Sequence, residues 1–272
     1  MPYTETTLKI LSYQLKNRSW KRDDALGSIC LIHGIGEHSK RYDHWAERFN
    51  NAGYSFFSLD LPGHGESSGK RGHIDKFDTY LDIIENLLQS AAADHPDLPL
   101  ILYGHSMGGL IAFRYLLSER SKPAMAVLSS PWLGLVVKPA SILIGIAKLV
   151  QRIYPAFLQK TELEQKYISH DLNEVEKYKN DPLIHDKISV NTFVGMQKAI
   201  DYVFNHIDQL VTPAIVLHGS DDMITAHDAS QKVVSMTEKA EFVSMPGLYH
   251  EMHNEENKDE FFDIIINWIR KS

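Results

Sequence analysis

The chain has 272 residues, 43% of them hydrophobic, and a formal net charge of −7. That is enough apolar material for one substantial core, and an acidic balance without a Lys/Arg cluster argues against nucleic acid as a partner. The single cysteine, Cys30, excludes a disulfide framework within the chain and, set in an apolar run, reads as a buried inert thiol.

The N-terminus, MPYTETTLKI, is polar and lacks the charged-then-apolar layout of a signal peptide. No apolar run reaches the length of a membrane span, so a soluble, cytoplasmic protein is expected. Thr6 to Leu15 alternates apolar and polar residues, which predicts an edge strand, with a second short strand around Trp20. Ser28 to His33 is a continuous apolar run and reads as a central strand buried on both faces. It feeds the loop His33-Gly34-Ile35-Gly36-Glu37-His38, at the carboxyl end of a strand, where parallel sheets place ligand contacts. Tyr42 to Asn51 reads as a helix with Trp45 and Phe49 on one face, stopped by Gly53. Tyr54 to Asp60 is the next strand, and Phe77 to Ala93 an amphipathic helix.

Leu100 to Tyr103 is another buried strand, and Gly104-His105-Ser106-Met107-Gly108 follows it directly. A helical segment, Leu110 to Arg120, comes next. Strand, glycine-flanked serine, helix is the setting of a nucleophile elbow, in which a tight turn lifts the serine hydroxyl above the sheet edge. The same turn aims a helix N-terminus at any oxyanion formed there. Further strands are expected at Ala124 to Ser129, Ala214 to His218 and Glu241 to Met245, and a closing helix at Asp259 to Arg270. Strands alternating with helices give a mostly parallel sheet covered on both faces. The rhythm breaks between 131 and 210, a stretch with no clear strand and an oily segment at Ser141 to Leu158. We therefore divide the chain into a core, 1–130 and 211–272, and a helical insertion, 131–210.

Acyl transfer from a serine needs a base for its proton and an acid to orient that base. In such sheets the order along the chain is Ser, acid, His. After Ser106, the acids at strand ends are Asp221 and Asp222, and the histidines are His250 and His253. His218 and His227 flank the acid loop and read as loop or core histidines. Two look-alikes fail on spacing. Gly63 to Arg71 lacks the Ser or Thr of a phosphate loop, and His250 and His253 stand three apart rather than four. No metal and no cofactor are expected.

The blocks HGIGEHSKRY (33–42), DLPGHGESSGKRG (60–72), GHSMGG (104–109), SSP (129–131), DPL (181–183), HGSDDMI (218–224) and GLYHEMHNE (247–255) span nearly the whole sequence. Together they resemble the α/β-hydrolase superfamily, and within it the monoglyceride lipase and lysophospholipase branch, related to the serine aminopeptidases. The resemblance implies an α/β-hydrolase fold, with the insertion as a helical cap. It implies Ser106 as nucleophile, Asp222 as acid and His250 as base, with the N–H groups of Ile35 and Met107 forming the oxyanion hole. It further maps glycerol-contacting residues onto Arg41, Glu174 and Tyr178. The expected activity is hydrolysis of lipid carboxylic esters, above all monoacylglycerols. A lysophospholipase or broad carboxylesterase is the same-class alternative, and a non-catalytic binding protein of this fold the remote one. The segment from Ile142 to Phe157, interspersed with Lys148 and Arg152, has the composition of a helix lying on lipid, although burial against the core would explain most of its apolarity.

Overall fold

The computed structural model describes residues 3–161 and 163–272. The first two residues of the polar N-terminus and Glu162 of the insertion lie outside the described residues. Strands β1 (Thr4–Ile10) and β2 (Tyr13–Trp20) form an antiparallel hairpin, Thr4 opposite Ser19 and Ile10 opposite Tyr13. The single edge strand expected over Thr6 to Leu15 is thus two strands. No Gly, Asn or Asp marks the turn; Leu11 itself takes the positive φ of 54°.

Strand β3 (Gly27–Ile32) is buried throughout, as its composition predicts. Its residues alternate between two cores: Ile29 and Leu31 face one, Cys30 and Ile32 the other. Helix α1 (Asp43–Asn51) then packs Trp45 and Phe49 beneath the sheet. Strand β4 (Tyr54–Leu59) returns beside β3, and α2 (Asp78–Asp94) covers the opposite face through Ile83, Ile84 and Leu87. Strand β5 (Leu100–His105) leads into α3 (Met107–Leu116), which starts three residues earlier than its sequence pattern shows, directly after Ser106. The two glycines at its start hide the helix from a periodicity reading.

After β6 (Met125–Ser129) comes the stretch 131–210, expected from the sequence as an insertion. It holds α4 (Ser141–Ile153), β7 (Leu158–Lys160), α5 (Leu172–Asn180), β8 (Lys187–Ser189) and α6 (Val190–His206). Two findings differ from expectation. The segment does contain strand, a short antiparallel ladder of β7 with β8. And its last helix is not separate: α6 buries Val194, Met196, Ala199 and Val203 in the core that α2 and α3 cover. The carboxyl end of this stretch is thereby part of the core itself.

Strand β9 (Ala214–Gly219), α7 (His227–Val234), β10 (Ala240–Met245) and α8 (Lys258–Lys271) complete the chain. The sheet order is β1-β2-β4-β3-β5-β6-β9-β10, parallel from β4 onward. With β5 near the middle, the carboxyl ends of β3, β5, β6, β9 and β10 open toward one edge, where loops can converge.

Candidate active site

Ser106 sits at the junction of β5 and α3 with φ 54° and ψ −117°. A serine in this conformation is strained, and surrounding contacts hold it there. Its N–H donates to the Ser129 carbonyl at 3.0 Å, and its own carbonyl accepts from Leu110 and Trp132 at 3.2 and 2.9 Å. The flanking glycine is required by contact: a Cβ on Gly108 would lie 2.1 Å from the Ile32 carbonyl oxygen. This close approach locks the start of α3 against the end of β3. The loop after β3 is equally near, since a Cβ on Gly34 would stand 3.2 Å from the Ser106 Cβ.

The Ser106 Oγ lies 2.9 Å from His250 Nε2, and His250 Nδ1 lies 2.7 Å from Asp222 Oδ2. Asp222 follows β9 and His250 follows β10, so three strand ends deliver the three side chains. The spacing fits a hydroxyl donating to one face of a neutral imidazole whose other N–H donates to the carboxylate. The His250 backbone is anchored through its carbonyl, which accepts from Ser130 Oγ at 2.9 Å. Asp222 is held rigidly, its Oδ1 accepting from the N–H groups of Ile224 and Thr225 at 2.7 and 3.0 Å. Its Oδ2 has two more neighbours, His218 Nε2 at 3.1 Å and Thr225 Oγ1 at 2.9 Å.

Electrostatics follow from this packing. Burial works to raise the Asp222 pKa, yet the facing imidazoles of His250 and His218 hold it far below the carboxylate range. For His250 burial favours the neutral form, but the Asp222 charge and hydrogen bond outweigh it and leave the pKa raised. His105, buried and facing His250, is pushed down to about 4 and is neutral.

The other two candidates go elsewhere. Asp221 is exposed and accepts from Ser220 Oγ at 2.7 Å. His253 is fully buried, stacked on Tyr42 with ring centroids 4.7 Å apart. His218, which reads in the sequence as a core histidine, is a second imidazole on Asp222. Only its spacing of four from Asp222 hints at that.

Of the oxyanion-hole candidates, Met107 opens α3, where the first N–H groups have no partner within the helix. Ile35 lies in the loop whose Gly34 abuts Ser106. That loop is pinned by Glu37, whose Oε1 accepts from the Gly34 N–H at 2.6 Å and the Tyr42 hydroxyl at 2.9 Å. Burial opposes its ionisation, but the Arg41 charge and the Gly34 N–H hold the Glu37 pKa down to about 2.

A narrow cavity opens at Ser106. Its apolar side is formed by Ile35, Leu163 and Ile168, its polar side by Glu37, Tyr178 and Glu251. The three headgroup candidates are placed differently from one another. Tyr178 lines the cavity. Arg41 lies behind its wall, donating to Glu37 at 2.8 Å and to both Glu251 oxygens at 2.7 Å, with its guanidinium 4.7 Å from the Tyr178 ring centroid. Glu174 is outside the lining and pairs with Lys177 at 2.7 Å. Glu37 and Glu251 carry no signal as site residues in the sequence beyond standing inside the blocks HGIGEHSKRY and GLYHEMHNE.

The doubly covered sheet, the strained serine elbow and the Ser–His–Asp chain at its edge define an α/β-hydrolase. The profile of the family described as serine aminopeptidase, S33, matches residues 23–257. A monoacylglycerol lipase of Mycolicibacterium smegmatis is 33% identical over 258 residues, covering 92% of this chain and 90% of its own. An uncharacterized abhydrolase domain-containing protein of Dictyostelium discoideum is 33% identical over 263 residues, although this chain spans only 28% of its length. The crystal structure of a monoacylglycerol lipase from Paleococcus ferrophilus superposes with a TM-score of 0.86 at 30% identity, covering 93% of this chain and 97% of that one. The chain belongs to the serine aminopeptidase S33 family.

Proposed function

We propose that the protein hydrolyses carboxylic esters of lipids, monoacylglycerols above all, to fatty acid and glycerol. The observation that carries this is the continuous chain from Ser106 Oγ through His250 to Asp222 on a serine elbow. In this reading Ser106 attacks the ester carbonyl while His250 Nε2 takes its proton. The N–H groups of Ile35 and Met107 stabilise the oxyanion; losing one such donor typically costs about 3–4 kcal/mol in the barrier. His250 then protonates the leaving alcohol, Asp222 stabilises the imidazolium, and a water activated by His250 releases the acid.

The substrate class is supported by the apolar wall of Ile35, Leu163 and Ile168 beside Ser106, suited to an acyl chain, and by the names of the relatives. The polar wall suits a small headgroup, with Tyr178 as a direct contact and Arg41 acting through its two carboxylates. Glu174 contributes only if α5 shifts. The insertion, 131–210, acts as a cap over the cavity: the His185 N–H donates to the Gly36 carbonyl at 2.9 Å and the Glu251 N–H to that of Ile168 at 2.7 Å. Contact with a lipid surface belongs to the same reading and rests on α4, discussed below.

The test is fatty-acid release from long-chain monoacylglycerol and lysophosphatidylcholine side by side, with Ser106→Ala as the blank. The reading expects monoacylglycerol to be strongly preferred and the rate to fall about 10⁵-fold or more in the variant. Lysophospholipid preferred would move the protein to the phospholipase class, and release unaffected by Ser106→Ala would remove the serine from the mechanism.

A further inference from the structure

His218 is a buried imidazole that the proposed mechanism does not use. It stands near the end of β9, four residues before Asp222, and both side chains are fully enclosed. The orientation of its protons follows from its neighbours. Nε2 faces Asp222 Oδ2 at 3.1 Å and the Thr225 carbonyl at 3.2 Å, two oxygens that can only accept, so Nε2 carries a proton. The Thr225 hydroxyl, 3.3 Å away, has nearer acceptors in Asp222 Oδ2 and the Ser130 carbonyl. Nδ1 is left to accept from the Ser230 hydroxyl of α7 at 2.8 Å. Asp222 Oδ2 thus receives the N–H groups of two imidazoles, His250 at 2.7 Å and His218 at 3.1 Å. The His218 ring is out of reach of substrate, so whatever it does for the reaction it does through Asp222. Few other titratable groups face this set. His218 meets only the edge of His227, from α7, with ring centroids 5.6 Å apart. His250 meets His105 at 4.8 Å, lies near His253, and feels the charges of Glu251 and Glu37 as well as that of Asp222.

We propose that His218 is a positioning residue for the acid: it fixes the Asp222 oxygen that His250 uses and, by donating a hydrogen bond to that oxygen, moderates its pull on the base. The inference deepens the ester-hydrolase reading and rests on its triad. A hydrogen bond donated to a carboxylate stabilises the charged form. It also draws electron density from the same oxygen that holds the His250 Nδ1–H. Without His218 that oxygen binds the imidazolium more tightly. His250 then keeps its proton to higher pH and serves as a base over a narrower range. One side of the clamp is lost as well, although the N–H groups of Ile224 and Thr225 still grip Oδ1.

The pH profile of kcat/KM for a short, water-soluble ester tests this in the wild type, His218→Met and His218→Gln, with a thermal melt to check that each is folded. Methionine fills the space without a donor, whereas the glutamine amide keeps an N–H near the position of Nε2. The acid limb of His218→Met is expected about 0.5 pH unit or more above that of the wild type, with kcat about tenfold lower. His218→Gln should bring the limb at least halfway back. A limb that His218→Met leaves in place overturns the proposal even if the rate falls, because a histidine that only filled the core would behave in that way. A shift that His218→Gln does not reduce overturns it too. A wild type that hydrolyses no ester, or whose limb Asp222→Asn leaves unmoved, overturns the triad reading instead. Should His218→Met be unfolded or inactive, the ring-nitrogen NMR signals of the wild type decide: a proton on His218 Nε2 supports the donor role, and a bare Nε2 overturns it.

Discussion

At the scale of single residues, the His250 imidazole is where the physics and the chemistry meet. In the proposed mechanism only the neutral ring accepts the Ser106 proton. The Asp222 charge raises its pKa above the ordinary 6.5 against the opposing pull of burial. Activity should therefore be lost as pH falls through a value above 6.5, giving kcat/KM a rising acid limb. Asp222→Asn removes both the charge and the tautomer control. The prediction is a drop in kcat of about 10⁴-fold and a limb displaced to lower pH. A limb that Asp222→Asn does not move would assign the titration to another group. The residues involved were legible to different degrees. Ser106 announces itself through its glycines. Asp222 over Asp221, and His250 over His253, were separable only by resemblance, because both members of each pair stand in the same loop and only the folded backbone decides which one points at the serine.

At the scale of elements, the elbow is a contact between two strands and a helix. A methyl group on Gly108 has nowhere to go, with the Ile32 and His33 carbonyls at 2.1 and 2.6 Å from its Cβ position. Gly108→Ala should lower stability by about 3 kcal/mol or more in denaturant unfolding, and a loss below ~1 kcal/mol would mean that the close approach is relaxed in solution.

Helix α4 is the element whose sequence could be read two ways, and the fold resolves the ambiguity by using both faces. Ile144, Ala147 and Val150 pack toward the main core. Ile142, Leu143, Ile146, Leu149 and Ile153 are 73, 57, 51, 59 and 80% exposed, so burial does not account for the apolar residues as a set. Side chains of this size gain roughly 1.5 kcal/mol or more each on leaving water. With Lys148 and Arg152 on the same helix, an anionic vesicle is the natural probe. Ile142→Glu/Ile146→Glu should weaken sedimentation with phosphatidylglycerol vesicles at least tenfold and spare hydrolysis of a short, water-soluble ester. Unchanged binding would exclude this face as the lipid contact.

At the scale of the whole molecule, the fold was legible because its signals are local. Buried parallel strands read as apolar runs, and each is punctuated by glycine or proline before the next helix. What stayed hidden depends on distance in sequence. The Arg41–Glu251 pair joins residues 210 apart, and the root of the insertion in the main core requires α6 to lie beside α3. Neither leaves a periodicity to find. The stretch 131–210 is also tied down by side-chain hydrogen bonds such as His38 Nε2 to Asp181 at 2.9 Å and His73 Nδ1 to Ser189 Oγ at 2.8 Å. Among the described residues no helix is long and apolar enough to cross a membrane.

The central claim is that Ser106 is an activated nucleophile, and a fluorophosphonate probe tests it most directly. The account predicts one covalent adduct per chain, located at Ser106 by peptide mass, formed by the wild type and abolished by Ser106→Ala and by His250→Ala. A folded protein that takes up no probe, or that is labelled at another residue, would contradict it.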